Sequence, residues 1–241
     1  KNMKKYLKAK MHLFENLLNK KSKIISDEDI KEFSFLKKIS EKRKINTISI
    51  GEKSGTIQIL DHSYQNQNQI VKISFKSKVF LLKIPLVGYY QVKNILMAAL
   101  AAYCCKLNIN KILRAIHKIK PVPGRLENIA NLKNNSHIVV DFAHTPDALE
   151  KSLFALKKQF KKKIIIVFGC GGNRDKNKRF KMGKIARKYC RKIFITDDNP
   201  RNENPKKIRR MILAGCKKSA VEIPNRKKAI ELAIKDLRYN E

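Results

Sequence analysis

The stretch TDDNPRNENP, Thr196 to Pro205, follows the apolar run KIFI and sets aspartates, asparagines and an arginine at the end of a predicted strand. Carboxylate and amide oxygens accept hydrogen bonds from ammonium groups, and a guanidinium forks onto a carboxylate. Asp198, Asn199, Pro200 and Arg201 therefore make a loop suited to a ligand that carries both signs of charge. Two other runs carry polar residues in the same position relative to a strand. VFGCGGNRDKNKR turns on Gly169, Gly171 and Gly172 and brings up Arg174, while VVDFAHTPDALEKSL presents Asp141 and His144. In open α/β sheets the ligand crevice lies outside the C-terminal ends of the strands, so three such clusters imply one site. A fourth residue is out of place. Lys10 falls within a helical stripe of Met3, Tyr6, Leu7, Leu13, Phe14 and Leu17, where its stem could cover the core edge and its ammonium snorkel to water.

These residues need elements to position them. Residues 1–20 read as a helix, followed by a short strand at Lys23–Ser26 and a helix from about Asp27. Residues 45–84 hold short β-rich runs (INTISIG, GTIQILDH, IVKISFK, VFLLKIPL) separated by Gly, Asn and Gln, the pattern of a meander. QVKNILMAALAAYCCKL and NINKILRAIHKI return to helical periodicity, and KPVPGRLEN, with two prolines and a glycine, marks a domain boundary. Beyond it strand and helix alternate. HIVVDF is expected to be a buried strand, Thr145 to cap a helix with Pro146 in its first turn, and IIIVF and KIFI to be further strands of a parallel sheet covered by helices on both faces.

Composition narrows the possibilities. The 241 residues are 43% hydrophobic and 31% charged, enough to build a core, with a formal net charge of +35. Such a charge invites phosphate backbones, but the lysines run the whole length, and Lys, Asn and Ile share A/T-rich codons. No arginine–aromatic signature of an RNA module is present, so no specific nucleic-acid partner is expected. The five cysteines have neither paired nor zinc-ligand spacing and fit a cytoplasmic protein; no stretch is long and apolar enough for a membrane span. A dehydrogenase turn on GCGG is a rival reading, yet the spacing departs from GxGxxG.

Taken together, VVDFAHTPDALEKSL, VFGCGGNRDKNKR, TDDNPR, PGRLE and YLKAKMHLF resemble the Mur ligases, essentially from end to end. The resemblance implies an α/β protein: residues 1–122 as part of a central ATPase domain of helices and β-meander, and 123–241 as a Rossmann-like C-terminal domain that binds the amino acid. It implies ATP and Mg²⁺, an acyl-phosphate intermediate and amide formation. Lys10 matches a carbamylated lysine that ligates the metal, an oxygen ligand of the kind Mg²⁺ prefers. Asn94, Arg125, Asp141 and His144 match nucleotide-site positions, with Gln91 standing where Asn is usual. DNPR, with Arg174, resembles the motif for meso-diaminopimelate, and the other substrate implied is a UDP-N-acetylmuramoyl dipeptide, ligated by a cytoplasmic monomer. A turn with a surface salt bridge is the plainer reading of DNPR, an ordinary strand-end acid that of Asp141, and a related folylpolyglutamate-type ligase the neighbouring alternative. These residues contain no GxxxxGK[ST] phosphate loop, and the chain opens within a helix. We expect a fragment without the N-terminal domain, phosphate loop and extreme C-terminus, inactive alone.

Overall fold

The computed structural model describes residues 3–65, 67–217 and 220–237. The chain divides into two units, Lys1–Lys120 and Pro121–Glu241.

In the first unit α1 (Met3–His12) continues into a π-helical turn, Leu13–Leu17. Its packed face is Leu7, Met11 and Phe14, set against Leu36 and Ile39 of α2 (Phe33–Arg43). That face is narrower than the stripe read from the sequence: Tyr6 is 56% exposed, and Leu13 and Leu17 are exposed too. The side chain of Met3 lies outside the described residues. Arg43 donates to the carbonyls of Phe14 (2.7 Å) and Leu18, satisfying the end of the π-turn. The expected helix start at Asp27 is wrong. Asp27 closes β1 (Lys23–Asp27), its carboxylate accepts from the Asp29 N–H (3.0 Å) in a turn, and α2 begins only at Phe33.

The five strands form one sheet in sequence order. β2 (Asn46–Gly51) runs parallel to β1, because α2 carries the chain back between them. β3 (Ile57–Gln65) touches β2 in parallel over Ile50–Gly51, and only β3, β4 (Asn68–Phe75) and β5 (Lys78–Ile84) make an antiparallel meander. The meander expected over all four runs is thus confined to the last three. Ile50, Ile57, Val71, Ile73 and Ile84 pack beneath Val92, Leu96 and Leu100, successive turns of α3 (Tyr89–Cys104). α4 (Ile109–Ala115), capped by the Asn108 side chain, adds Leu113.

In the second unit β8 (Ile164–Phe168), β9 (Cys190–Ile195) and β10 (Ala220–Glu222) form a parallel sheet, ordered β10-β9-β8. Helices α5 (Pro146–Phe160), α6 (Asn177–Tyr189) and α7 (Pro205–Cys216) bury Leu149, Leu153, Met182, Ile208 and Ile212 with Phe168, Ile193 and Ile195. α8 (Arg226–Lys235) packs Ala229 and Ala233 on Phe194, whose side chain points to the opposite face. Thr145 caps α5 by accepting from the Ala148 N–H, with Pro146 in the first turn, and Asn204 and Asn225 cap α7 and α8.

HIVVDF does not join this sheet. β7 (His137–Val140) pairs antiparallel with β6 (Glu127–Asn131), is half-buried, and leaves Val140 43% exposed. The turn between them closes locally through Leu132 N–H to Ser136 O (2.8 Å), which costs less chain entropy than a crossover pairing.

α6 and α7 cross where glycine faces glycine. A Cβ on Gly183 would stand 2.2 Å from the Ile212 carbonyl oxygen and 3.1 Å from the Gly215 Cα. Alanine gains about 1 kcal/mol of helix propensity, but the forced separation of two packed helices costs more, so Gly183→Ala should lower stability by about 1–2 kcal/mol net. A urea midpoint shifted down at constant slope is the expected result; an unchanged midpoint would show that the crossing has slack.

Candidate functional site

Because β8 and β9 are parallel neighbours in register Phe168 to Ile195, the segments leaving them emerge side by side. The ladder runs one residue further through Thr196 N–H to Phe168 O (3.1 Å), and Gly172 N–H donates to Asn199 O (2.8 Å). The two backbones then press together. A Cβ on Gly169 would lie 2.4 Å from Thr196 O, and one on Gly172 only 1.8 Å from Pro200 O. Internal contact therefore explains the glycines, and α6 starts at Asn177, well past the turn, so the dinucleotide-turn reading has no footing here.

On this platform Arg201 takes a left-handed conformation (φ 48°), its N–H donates to Asn199 Oδ1 (3.2 Å), and its Nη1 donates to Gly172 O (2.8 Å). Arg174, Asp198, Asn199 and Arg201 are exposed, and Pro200 is half-buried. Asp198 and Arg174 make no hydrogen bond or ion pair among the described residues. The neighbouring Asp197 is committed: its carboxylate pairs with Arg209, which also donates Nε to Glu222 (2.6 Å).

Beneath the loop lies a fully buried guanidinium. Arg179, 0% exposed, donates Nη1 and Nη2 to the two oxygens of Glu203 (2.9 Å each) and Nη2 to Gly171 O (3.3 Å). Glu203 also accepts from the Asn173 N–H (2.6 Å). The Arg179 guanidinium, opposed by burial and helped by that N–H, holds the Glu203 carboxyl down at about 2.

At the end of β7 the Asp141 carboxylate accepts from Leu126 N–H (2.9 Å), Ala143 N–H (3.0 Å) and Ser152 Oγ (2.9 Å). It fastens the PGRLE turn and, through Ser152, the middle of α5 to the strand end. Arg125 lies over the Phe142 ring, 5.3 Å from its centroid, and His144 meets that ring edge-on at 5.6 Å. Phe142 is 65% exposed, so Arg125, Phe142 and His144 form an open cationic-aromatic shelf. Lys178 Nζ donates to His144 O (2.9 Å), linking this loop to the first turn of α6, which follows the glycine turn in sequence. All three strand-end clusters thus adjoin.

In the first unit the Lys93 ammonium bridges Asp29 (2.7 Å) and Asp27 (3.0 Å) beside the ends of β1 and β2. Burial pulls it down, but the two carboxylates more than offset that and raise it overall. Asn94 is exposed one residue on, its Nδ2 donating to Gln91 Oε1 (3.2 Å). Lys10 is exposed, with Nζ 4.6 Å above the Tyr6 ring and no hydrogen bond to Asn94. By helical spacing it lies between Leu7 and Phe14, at the edge of the packed face, with its ammonium in water.

Residues 1–102 match the Mur ligase middle domain and residues 124–241 the Mur ligase glutamate ligase domain. The chain belongs to the Mur ligases. It is 38% identical over 239 residues to the UDP-N-acetylmuramoyl-L-alanyl-D-glutamate–2,6-diaminopimelate ligase of Rickettsia bellii, across 98% of this chain and 49% of that protein. A solved ligase of the same description superposes with a TM-score of 0.65 at 27% identity, over 100% of this chain and 50% of that one. The folylpolyglutamate synthase of Mycobacterium tuberculosis, solved with ADP, shares the fold (TM-score 0.67, 16% identity, 84% of this chain and 44% of that one). The chain spans about half the length of the curated relatives it matches.

Sequence reading of this Mur ligase missed Arg179 and Glu203. A signal was present: Arg179, Met182, Gly183 and Ala186 share one helical face, so an arginine heads a buried register. Their pairing has a pH signature. The folded carboxyl at about 2 lies below its ordinary 4.5, so the native state binds fewer protons between those values and the pair stabilises it above them. Measured by urea midpoint, the stability gap between wild type and Glu203→Gln should be full at neutral pH and shrink as pH falls from about 4.5 towards 2. A gap independent of pH would mean that the carboxylate charge contributes nothing.

Proposed function

We propose that the protein carrying this chain is an ATP-dependent ligase that forms an amide between meso-diaminopimelate and UDP-N-acetylmuramoyl-L-Ala-D-Glu, in peptidoglycan precursor synthesis, as a cytoplasmic monomer. The observation that carries the reading is the DNPR loop: a partner-free Asp198 and an exposed Arg201 guanidinium stand on one rigid turn. Diaminopimelate has two amines and two carboxylates. Arg201, steadied through Nη1, keeps donors for the distal carboxylate, while Asp198 and Asn199 accept from ammonium. Arg174 is free for the other carboxylate. Similarity to ligases described by diaminopimelate supports the same substrate.

On this reading the dipeptide carboxylate is phosphorylated by ATP, the bound amine attacks the acyl phosphate, and phosphate leaves. The chain's part is to orient the reactants and balance their charge. The Arg125–Phe142–His144 shelf of the second unit, stiffened by Asp141, suits the base and ribose side of a nucleotide; in the first unit, considered by itself, the exposed Asn94 amide offers hydrogen-bonding groups of the same kind. Among the described residues no group of three or more His, Cys, Asp or Glu is placed to hold a metal. Lys10 as a carbamate would supply an oxygen ligand to Mg²⁺, whose chemistry here is neutralising phosphoryl charge. Its exposure leaves room for the added CO₂ group.

Ligation assays on the full gene product test both sites. Arg201→Ala should cost diaminopimelate far more than lysine, which has no distal carboxylate. A bidentate charged bond contributes roughly 1.5–3 kcal/mol, or on the order of 10- to 150-fold in relative kcat/KM. Arg174→Ala should weaken both amino acids. Equal losses in Arg201→Ala would reduce the motif to a structural turn. Lys10→Ala should depress the rate sharply, and added short carboxylates should restore part of it; full activity without them would remove the metal-ligand role.

A further inference from the structure

Arg179 and Glu203 touch none of the exposed groups that would meet a ligand, yet they join every segment beneath them. One carboxylate holds the Asn173 N–H and both Nη atoms of Arg179, whose Nη2 also reaches Gly171 O. Glu203 N–H in turn donates to Pro200 O (3.0 Å), the oxygen that presses on Gly172. Arg179 Nε is buried without a partner, and a buried ion pair is poor as a source of stability, since an apolar pair of similar volume often does as well. What an ion pair adds here is direction: a bidentate fork fixes angle as well as distance.

We propose that Arg179 and Glu203 are positioning residues for substrate selection. Their fork sets the spacing between the Gly171–Asn173 turn and Pro200–Arg201, and so aims the Arg201 guanidinium at the distal carboxylate of the amino acid. The inference rests on the diaminopimelate reading of the loop. Neither residue touches substrate, and both act through the Gly172 carbonyl that anchors Arg201 Nη1.

The test measures KM and kcat for diaminopimelate, lysine and ATP, with melting temperature, in the full gene product and in Glu203→Gln, Arg179→Lys, Arg201→Ala and the Arg201→Ala/Glu203→Gln double variant. Either clamp variant should raise KM for diaminopimelate roughly 10- to 100-fold, with kcat at saturation and KM for ATP within about twofold of wild type. Lysine use should hold steady, and the double variant should be no worse than Arg201→Ala alone, because both changes remove one effect. Parallel rises in KM for ATP and diaminopimelate, or losses that add in the double variant, would make the pair a general structural support and overturn the proposal. Should Glu203→Gln melt below the assay temperature, Arg179→Lys, which keeps the charge and loses the fork, decides the same question. A wild-type protein that ligates lysine but not diaminopimelate would overturn the functional reading itself, and the pair's purpose with it.

Discussion

Residue 172 has no space for a carbon atom beyond its Cα, because the Pro200 carbonyl oxygen occupies it. Much of the second unit follows from that contact. Two chain segments leave parallel strands and lie backbone on backbone, so each becomes the other's wall. Such closeness lets Gly172 N–H reach Asn199 O and lets Arg201 reach back to Gly172 O. It also forces the turns into unusual backbone conformations, with Asn173 at φ 51° and Arg201 at φ 48°. Non-glycine residues hold the left-handed region at a cost that the surroundings must offset. Here a buried guanidinium and a carboxylate on the underside supply the offset, which is why the loop can carry exposed charged side chains in a fixed place.

Charge is handled unevenly across the molecule. Among 55 basic and 20 acidic residues, acids are scarce, and most described acids in the second unit are assigned to a partner. Asp197 and Glu222 take Arg209, Asp236 takes Arg191 and Lys192, Glu203 takes Arg179, and Asp141 takes backbone N–H groups and Ser152. What such pairs add to stability depends on burial, which runs among the basic partners from 0% exposure for the Arg179 side chain to 33% for Lys192. They do decide which carboxylates remain available. In the loop after β9 that selection leaves Asp198 open while closing Asp197 one residue earlier. On the proposed function, a ligand's ammonium would meet one open acid in this loop, with few carboxylates left to compete for it.

Local rules were legible in the sequence and partner choices were not. Thr145 with Pro146 announced α5, and the apolar runs before GCGG and DDNPR announced β8 and β9, because caps and buried strands are set by neighbouring residues. The adjacency of the glycine turn and DNPR followed from strand polarity, because β8 and β9 are parallel neighbours; that of Asp141 and His144 did not, since β7 lies outside that sheet. The failures share a cause. HIVV reads equally well as a core strand or a hairpin arm, and only its pairing with β6 decides. The face of α1 depends on where α2 lies, which placed Met11 inside and Tyr6 outside. Arg179 and Glu203 are separated in sequence by the rest of α6, by β9 and by the loop after it, so no local pattern joins them.

The same division explains how one architecture can serve ligases whose names specify different amino acids. Helices crossing at Gly183 and Gly215, and strands with Ile193 and Ile195 at 0% exposure, ask only for small or apolar residues in register, a demand many sequences meet. Selection among amino acids, on the proposed function, would place a stricter demand on fewer atoms: an arginine fork aimed within a fraction of an ångström at a carboxylate that one substrate has and another lacks. Loops can change at the strand ends without disturbing the sheet, provided the replacement still fits against the glycine turn. Specificity in this fold is therefore expected to reside in the loop and its underside together, since a guanidinium on an unbraced loop would lose in orientation what it gained in charge.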